Sequence, residues 1–404
     1  MILIGDWSPE MQRVTMAPRL TPSAYFANLE GPLLPAEHSL APRPKAGPSL
    51  FSCEPPNDSG RFIFTLANNH IMDYGLPGLQ ATMKSLDKKG IRACGAGVDA
   101  RSAMQPIVVD DNGARVGIIS CCEAQFGIAR RNSAGVAELG PWVYRAIDEL
   151  RETADAVIVS VHAAVEDSPW PSPYFRHLYR SYIDAGATIV HGHHSHVPQG
   201  YESYKDGVIF YGMGNAAVDP GKWRDYPNGM WSLAADIDVS SVPHRWRTFT
   251  LEIRDNPASE TIVVEDSTAE EQNSHARYFD LCNLPLGDSD LFEALWQEVA
   301  LRAFYHYGAK YMGISADRES RQPTPARSAK SMLKRVRPSK SAPPTRSAPP
   351  DYSLLYAMIA CESHRQMLTT ALGVLADELQ DERTEETGSL ADEMMPWSRG
   401  TVPA

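Results

Sequence analysis

The 404-residue chain has 50 acidic and 38 basic side chains, which give it a formal net charge of −12 at pH 7. A chain of this length usually forms two or three structural units, and its negative charge argues against a general nucleic-acid-binding protein. The six cysteines form no CxxC pair and show no disulfide spacing, so we expect reduced thiols.

Short apolar runs of strand length alternate with amphipathic helical patterns in the first part of the chain. The apolar runs are MILIG, RFIFTLA, RVGIISCC, AVIVSVH, ATIVHG and VIFYGMG. One helical pattern, LPGLQATMKSLDKKG, ends at Gly90, a residue type typical of helix C-termini. This alternation predicts a layered α/β domain with a largely buried sheet, which two further strands would complete near residue 265.

The residues after 265 have a different composition. We predict four segments: a domain at 1–265, a helical extension at 266–316, a disordered basic linker rich in Pro and Ser at 317–350, and one long amphipathic helix with an acidic tail at 351–404. The linker and the C-terminal helix could dock synthase or export subunits, although a charged linker is more often simply solvated.

The N-terminal sequence MILIGDWSPE has a short apolar stretch and no basic leader. It therefore looks like neither a signal peptide nor a membrane anchor, and we expect a cytoplasmic protein. The basic segment at 327–340 would allow at most a peripheral contact with anionic lipid.

A polar cluster follows almost every apolar run directly. These clusters contain Asp6, Asn28 with Glu30, Asn68 with Asn69 and His70, His162 with Glu166, four histidines at 191, 193, 194 and 196, and Asn215. Any one of them alone could be a cap, a turn residue or a hydrogen-bonded histidine. Because ligands of α/β sheets bind at the carboxyl ends of the strands, their recurrence there favours a metal or catalytic site. Mixed oxygen and imidazole donors suit a divalent transition metal.

Seven blocks occur in the order and spacing of a known family: GDWSP, NLEGPL, LANNHIMDYGLPGLQATMKSL, GIRACGAG, VHAAVED, AGATIVHGHHSHVPQGYE and IFYGMGNAAVD. The chain thereby resembles the CapA family of capsule and poly-γ-glutamate synthesis proteins, a branch of the calcineurin-like metallophosphatase superfamily. The resemblance covers residues 1 to about 220 and says nothing about 270–404. It implies a four-layer αββα sandwich, here with a helical C-terminal extension.

The resemblance also implies roles for individual residues. One or two divalent metal ions (Mn, Zn or Fe) would be held by Asp6, Glu30, Asn69, His162, His194 and His196. Glu30 would bridge the two metals, Asp6 and His196 would serve the first, and the other three the second. His70 would be the general acid. Asp73 would either orient His70 or cap the following helix, and Glu166 is a further candidate catalytic residue.

Several positions depart from the family pattern. The superfamily's Asp-x-His motif is Asp6-Trp7-Ser8 here, so the first metal lacks one usual ligand. The common His-Trp-Gly-x-Glu block keeps only His162 and Glu166. We expect His191 and His193 to be supporting or structural residues. These departures suggest altered substrate contacts around a retained metal-binding framework.

Three functions are compatible with this sequence. The first is a metal-dependent hydrolase of capsule, poly-γ-glutamate or another cell-surface polymer, acting on a phosphoester or an amide of an anionic polymer. The second is a non-catalytic accessory subunit of a polymer synthase. The third is an epimerase with an Asp–His acid–base pair, which needs His70 or His194 free of metal.

Overall fold

The computed structural model describes residues 1–17, 24–45, 47–53, 61–241, 244–256, 261–308 and 352–400. The predicted linker at 317–350 lies outside these ranges. Within them, no helix combines the length and the apolar character that crossing a bilayer requires.

The strands of these residues include all six apolar runs of the sequence. They are β1 (Ile2–Ser8), β2 (Arg13–Met16), β3 (Tyr25–Leu29), β4 (Phe62–Thr65), β5 (Arg92–Cys94), β6 (Ala96–Gly97), β7 (Ile107–Asp111), β8 (Ala114–Cys122), β9 (Gly135–Val136), β10 (Ala156–His162), β11 (Ile189–His193), β12 (Tyr201–Tyr204), β13 (Gly207–Phe210), β14 (Asn215–Val218), β15 (Trp231–Asp238), β16 (Arg245–Asn256) and β17 (Thr261–Asp266).

The helices follow the predicted amphipathic patterns in the first part of the chain. They are α1 (Gly75–Lys88), α2 (Ala100–Ala103), α3 (Trp142–Arg151), α4 (Pro173–Asp184), α5 (Pro220–Trp223), α6 (Ala269–Asn283), α7 (Ser289–Ala303), α8 (Tyr352–Ala360), α9 (Glu362–Leu375) and α10 (Glu385–Met394). Gly90 follows the end of α1 with a φ of 69°, a left-handed conformation that glycine adopts without strain.

The first sheet has β1 near its centre. Its strand order is β2-β17-β16-β15-β1-β3-β4-β5, and β14 also pairs with β1. Strands β3, β4, β5 and β14 run parallel to their neighbours, so their carboxyl ends lie on the same side as that of β1. The register places Asp6 beside both Asn28 and Asn215.

The second sheet has the order β12-β13-β11-β10-β8-β7. Its four inner strands are parallel, and antiparallel strands β12 and β7 close the two edges. His162 at the end of β10 lies beside His193 at the end of β11. Histidines from two neighbouring strands therefore reach one edge of this sheet.

Alternating side chains of the buried strands divide the apolar core into layers. Leu3 of β1 and Ile158 of β10 belong to the same cluster between the two sheets. Ile2 of β1 packs on the α1 side, and Val159 of β10 packs with α3 and α4. The predicted four-layer αββα sandwich is thus confirmed.

The C-terminal part of the chain corrects one prediction. The single long helix expected after residue 351 is two helices, α8 and α9, separated at Cys361, whose backbone is extended (φ −68°, ψ 125°). The break has a physical cause, because it lets the backbone N–H and the hydroxyl of Ser363 donate to the buried Glu123 carboxylate. Met367 of α9 and Leu390 of α10 join the core between the sheets.

A substitution in the inner core tests these layers. Ile158 is fully buried, whereas Ile359 in α8 is 68% exposed. We expect Ile158→Ala to lower the free energy of unfolding by about 2–5 kcal/mol, because it leaves a cavity between packed sheets. Ile359→Ala should change it by less than about 0.5 kcal/mol. Equal effects in chemical denaturation would contradict the assignment of Ile158 to the core.

Candidate metal centre

The predicted metal ligands come together where the carboxyl ends of both sheets meet. Asp6, Glu30 and Asn69 lie in or after strands β1, β3 and β4 of the first sheet. The three histidines lie in or after strands β10 and β11 of the second sheet. The set is Asp6, Glu30, Asn69, His162, His194 and His196, and each of its members is buried. Ligand atoms of Glu30, His194 and His196 lie within 4.8 Å of one another.

Glu30 is the most informative residue of this cluster. Both of its carboxylate oxygens are buried, and neither has a hydrogen-bond partner among the described residues. Oε1 lies 3.6 Å from His162 Nε2, and Oε2 lies 3.7 Å from His196 Nδ1. Burial raises the pKa of Glu30 to about 8. A carboxylate in this position is stable only when it is protonated or faces a cation.

Asp6 and His196 form the other charged part of the cluster. His196 Nδ1 lies 3.6 Å from Asp6 Oδ2, and Asn28 donates to Asp6 Oδ1 over 2.8 Å. Burial disfavours a charged imidazole, but the carboxylates of Glu30 and Asp6 outweigh it and raise the pKa of His196 to about 9. Burial acts to raise the pKa of Asp6, yet His193 and His196 hold it below its usual value.

Asn69, His162 and His194 form the second part of the cluster. His162 Nε2 lies 3.0 Å from Asn69 Oδ1, and the rings of the two histidines are 4.5 Å apart. Burial lowers the pKa of His162 well below its usual value and that of His194 to about 4. Both histidines are therefore neutral near pH 7, which is the form that binds a metal.

The loop after β11 holds its histidines in an uncommon backbone conformation. His194 has a φ of 87° and His196 a φ of 56°. Residues with a Cβ rarely adopt positive φ, and two of them in one short loop store strain. Such strain is typical of functional sites, where the required side-chain positions outweigh the local cost.

Supporting residues fix the orientation of this cluster. Asn68 Nδ2 donates to Asn28 Oδ1 over 2.9 Å, and Asn68 Oδ1 accepts from the backbone N–H groups of His70 and Ile71. His193 Nδ1 lies 3.0 Å from Asp6 Oδ1, and His191 Nε2 lies 3.0 Å from the carbonyl oxygen of Ile4. These positions fit the supporting roles that we expected for His191 and His193, and Asn68 has a similar role.

His70 lies beside the cluster in a separate charged group. Its Nδ1 is 2.8 Å from Asp73 Oδ2 and 2.9 Å from Lys45 Nζ, and Lys45 also lies 2.5 Å from Asp73 Oδ1. The N-cap residue of α1 is Tyr74, and it makes no side-chain capping bond. The capping alternative for Asp73 is therefore wrong, and its carboxylate contacts His70. Burial, followed by the Lys45 charge, lowers the pKa of His70.

Glu166 and Ser8 lie at the margins of the cluster. The Glu166 side chain is 51% exposed, and its Oε1 is 4.0 Å from His194 Nε2. The structure thus places Glu166 at the mouth of the site. Ser8 occupies the position where the superfamily pattern has a histidine, and its buried hydroxyl has no hydrogen-bond partner among the described residues.

Two further residues of the site, Lys45 and Glu123, are not among the residues predicted from the sequence. Lys45 follows no apolar run, because it lies in the loop APRPKAGPSL, and no signal identified it. Glu123 follows the apolar run RVGIISCC, so the rule that selected the other clusters could have found it. Its Oε1 lies 3.7 Å from His194 Nε2, and burial raises the pKa of Glu123 to about 7.

A cavity of about 310 Å³ adjoins the cluster. Asn69, His70 and Glu166 lie on its inner side, together with Lys45. Met358 and other residues of the C-terminal helices form part of its lining. A molecule in this cavity would therefore contact both the candidate ligands and the C-terminal helices.

The residues of the cluster fit a divalent metal ion. They provide two carboxylates, one amide oxygen and three imidazoles, which together suit Mn, Zn or Fe better than Ca or Mg. The unpartnered carboxylate of Glu30 supports this, because a cation would supply the charge that its burial requires. Glu30 and His196 would lose their protons on binding.

Comparison with known proteins identifies relatives of this chain. The family described as "Bacterial capsule synthesis protein PGA_cap" matches residues 18–220. The capsule biosynthesis protein CapA of Bacillus anthracis is 34% identical over 174 residues, which are 41% of this chain and 42% of that protein. A probable polyglutamine synthesis accessory protein of Mycobacterium tuberculosis is 33% identical over 175 residues, 39% of this chain and 45% of that protein.

The chain therefore spans less than half the length of these curated relatives. Among solved structures, one described as a novel phosphatase from Mycoplasma pneumoniae has a TM-score of 0.35 and 13% identity, and the match covers 64% of this chain and 94% of that one. A likeness at this score carries no weight for the activity of the present chain.

Calorimetric titration with Mn²⁺ tests the metal centre. Because burial raises the pKa of Glu30 to about 8 and the neighbouring carboxylates raise that of His196 to about 9, this interacting pair holds protons at pH 7 without metal. Binding should release these protons, so the measured enthalpy should depend on the ionisation enthalpy of the buffer. Glu30→Gln should weaken binding by more than about 100-fold, beyond the effect typical of outer-shell partners.

Glu252→Gln is the matched control for this titration. Glu252 is also a buried glutamate, but it accepts from Ser267 in the first sheet, away from the cluster. Its substitution should leave both the affinity and the buffer dependence unchanged. Equal affinities of wild-type protein and Glu30→Gln would remove Glu30 from the metal centre.

Proposed function

The chain belongs to the bacterial capsule synthesis protein PGA_cap family, and from this premise we propose that it is a divalent-metal-dependent hydrolase in the biosynthesis of a cell-surface polymer. The bond that it cleaves is a phosphoester or an amide. The observation that carries the proposal is the convergence of the candidate ligands around the unpartnered Glu30 carboxylate.

The ligand set fits the first requirement of this reaction, which is a bound cation next to a substrate cavity. A divalent metal supplies Lewis acidity that polarises a phosphoryl or carbonyl oxygen. The chain holds the donors rigidly, since Asn28 fixes Asp6 and the ends of β10 and β11 fix the histidines. Such preorganisation means that little rearrangement accompanies the reaction.

His70 is the proposed general acid. With Nδ1 held by Asp73, Nε2 is the atom that can pass a proton to the leaving group. Burial and the neighbouring Lys45 lower the pKa of His70, which makes the protonated ring a stronger acid. Asp73 counteracts this and keeps the proton available.

Lys45 is the proposed contact for substrate charge. Its side chain is 6% exposed, and it lines the cavity beside Asn69 and His70. Its ammonium group pairs with Asp73 and still faces the space where an anionic group next to the metal centre would lie. A buried positive charge favours a phosphoryl or carboxylate substrate over a neutral one.

A second function has one observation in its favour. The Mycobacterium tuberculosis relative is described as a probable accessory protein of polyglutamine synthesis. This chain could act in the same way, as an accessory subunit without turnover.

The epimerase alternative needs an unligated acid–base pair, and His70 with Asp73 would provide it.

Substitution of a metal ligand distinguishes these functions. We expect the Mn²⁺-loaded protein to hydrolyse bis(p-nitrophenyl) phosphate or a γ-glutamyl amide, and His194→Ala to lower kcat/KM by at least about 100-fold. His177→Ala is the control, because His177 is an exposed histidine on α4. Bound metal and turnover should be measured on the same samples.

The other outcomes select the alternatives. Absence of both metal and turnover would refute the hydrolase. Binding to a synthase subunit that persists in His194→Ala but is lost when residues 317–350 are replaced by a Gly/Ser linker of equal length would favour the accessory subunit. Solvent deuterium entering a peptide Cα without net cleavage would favour the epimerase.

The role of His70 can be tested through its partner. Asp73→Asn removes the charge that holds both His70 and Lys45, so we expect kcat to fall by about 100-fold or more while metal stoichiometry is retained. Asp87→Asn, on the exposed face of α1, is the control. An unchanged kcat in Asp73→Asn would exclude His70 as an acid oriented by Asp73.

A further inference from the structure

The cavity beside the metal centre has two chemically different sides. The inner side carries polar groups of the family-matched region, among them Asn69, His70 and Glu166. The opposite side carries Met358 of α8 and His364 of α9, which lie outside residues 18–220. The second side therefore lies outside the residues that the family match covers.

Two contacts, one buried and one partly buried, hold the C-terminal part of the chain against the cavity. Glu123 accepts from the Ser363 backbone N–H over 2.7 Å and from the Ser363 hydroxyl over 2.9 Å. On the other rim, Trp397 Nε1 donates to the carbonyl oxygen of Asp167 over 3.2 Å. Asp167 and Trp397 both line the cavity. These two contacts therefore fix the C-terminal part of the chain at two points near the cavity.

His364 is the polar residue of this wall that lacks a complete set of partners. It lies one residue after Ser363, and its buried Nδ1 has no hydrogen-bond partner among the described residues. Glu166 is the charged group that faces it, and Tyr307 is a ring neighbour at 6.2 Å. A buried polar atom without a partner destabilises the protein, and a polar group of a bound ligand can offset this cost.

We propose that α8 and α9 form the substrate-recognition wall of the metal cavity, with His364 and Met358 contacting the group attached to the scissile bond. This inference rests on the proposed hydrolase function and specifies its substrate class. The substrate is a compact ester or a chain end that carries an apolar or ring-shaped group beside the scissile bond. The imidazole of His364 and the thioether of Met358 complement such a group, and the rings of Tyr307 and Trp397 lie in the same lining.

The charge of the cavity supports a compact substrate over the interior of a polyanion. Glu166 and Asp167 line the cavity, and Lys45 pairs with Asp73 at its inner side. Repeated carboxylates of an extended polymer would lie next to these acidic side chains, whereas Lys45, the lysine among the described lining residues, can serve one anionic group. A single anionic group at the metal centre avoids this repulsion.

Binding of two phosphonates to the Mn²⁺-loaded protein tests the wall without turnover. Phenylphosphonate and methylphosphonate share the anionic group and differ in the ring. We expect calorimetry to show phenylphosphonate binding about tenfold more tightly, and His364→Ala and Met358→Ala to remove most of that difference. Methylphosphonate affinity should stay unchanged in both variants, which shows that the fold and metal centre are intact.

Two exposed residues serve as controls. Ile359→Ala changes the neighbour of Met358 on the same helix, and His177→Ala changes a histidine outside the cavity. Both should retain the preference for phenylphosphonate. If wild-type protein binds both phosphonates equally, the proposed role of α8 and α9 in substrate recognition is refuted, while the proposed metal centre is still supported. If it binds neither, both the wall and the phosphoester hydrolase are overturned.

Discussion

Burial of the Glu30 carboxylate without a hydrogen-bond donor is the constraint on which the geometry of the site depends. An isolated charge in the protein interior costs several kcal/mol, so opposite charge must be supplied nearby. The imidazole of His196, whose pKa is raised to about 9, supplies positive charge at one oxygen of this carboxylate, and the neutral imidazole of His162 lies at the other. Both histidines come from the second sheet. Glu30 itself comes from the first. Electrostatics therefore contributes, together with apolar packing, to the way in which the two sheets meet.

Uncharged amide side chains around Glu30 orient the neighbouring ligands through hydrogen bonds. Asn28 contacts Asp6 and His162, and Asn68 holds Asn28 in turn. These amides carry no charge, so they orient the ligands without adding to the repulsion among them. The positive φ angles of His194 and His196 show that the backbone also yields to the positions of the side chains. The backbone of these two histidines thus adopts a less favourable conformation, which places their imidazoles in the site.

Much of the fold could be predicted from the sequence, because buried strands and amphipathic helices have distinct periods. The candidate ligands could also be selected, since each follows an apolar run and parallel strands bring their carboxyl ends together. Lys45 could not be selected, because a loop residue is positioned by contacts distant in sequence, here with Asp73. The break at Cys361 was missed for the same reason. The apolar period continues across it, while the cause of the break, Glu123, lies 240 residues away from Ser363.

The contact between Glu123 and Ser363 couples the C-terminal helices to the metal centre. Glu123 follows β8 and lies against His194, whereas Ser363 lies in α9, outside the family-matched residues. One buried carboxylate therefore touches a candidate ligand and also holds α9 in place. A shift of α9 would change the hydrogen bonds of Glu123 and with them the electrostatic surroundings of His194.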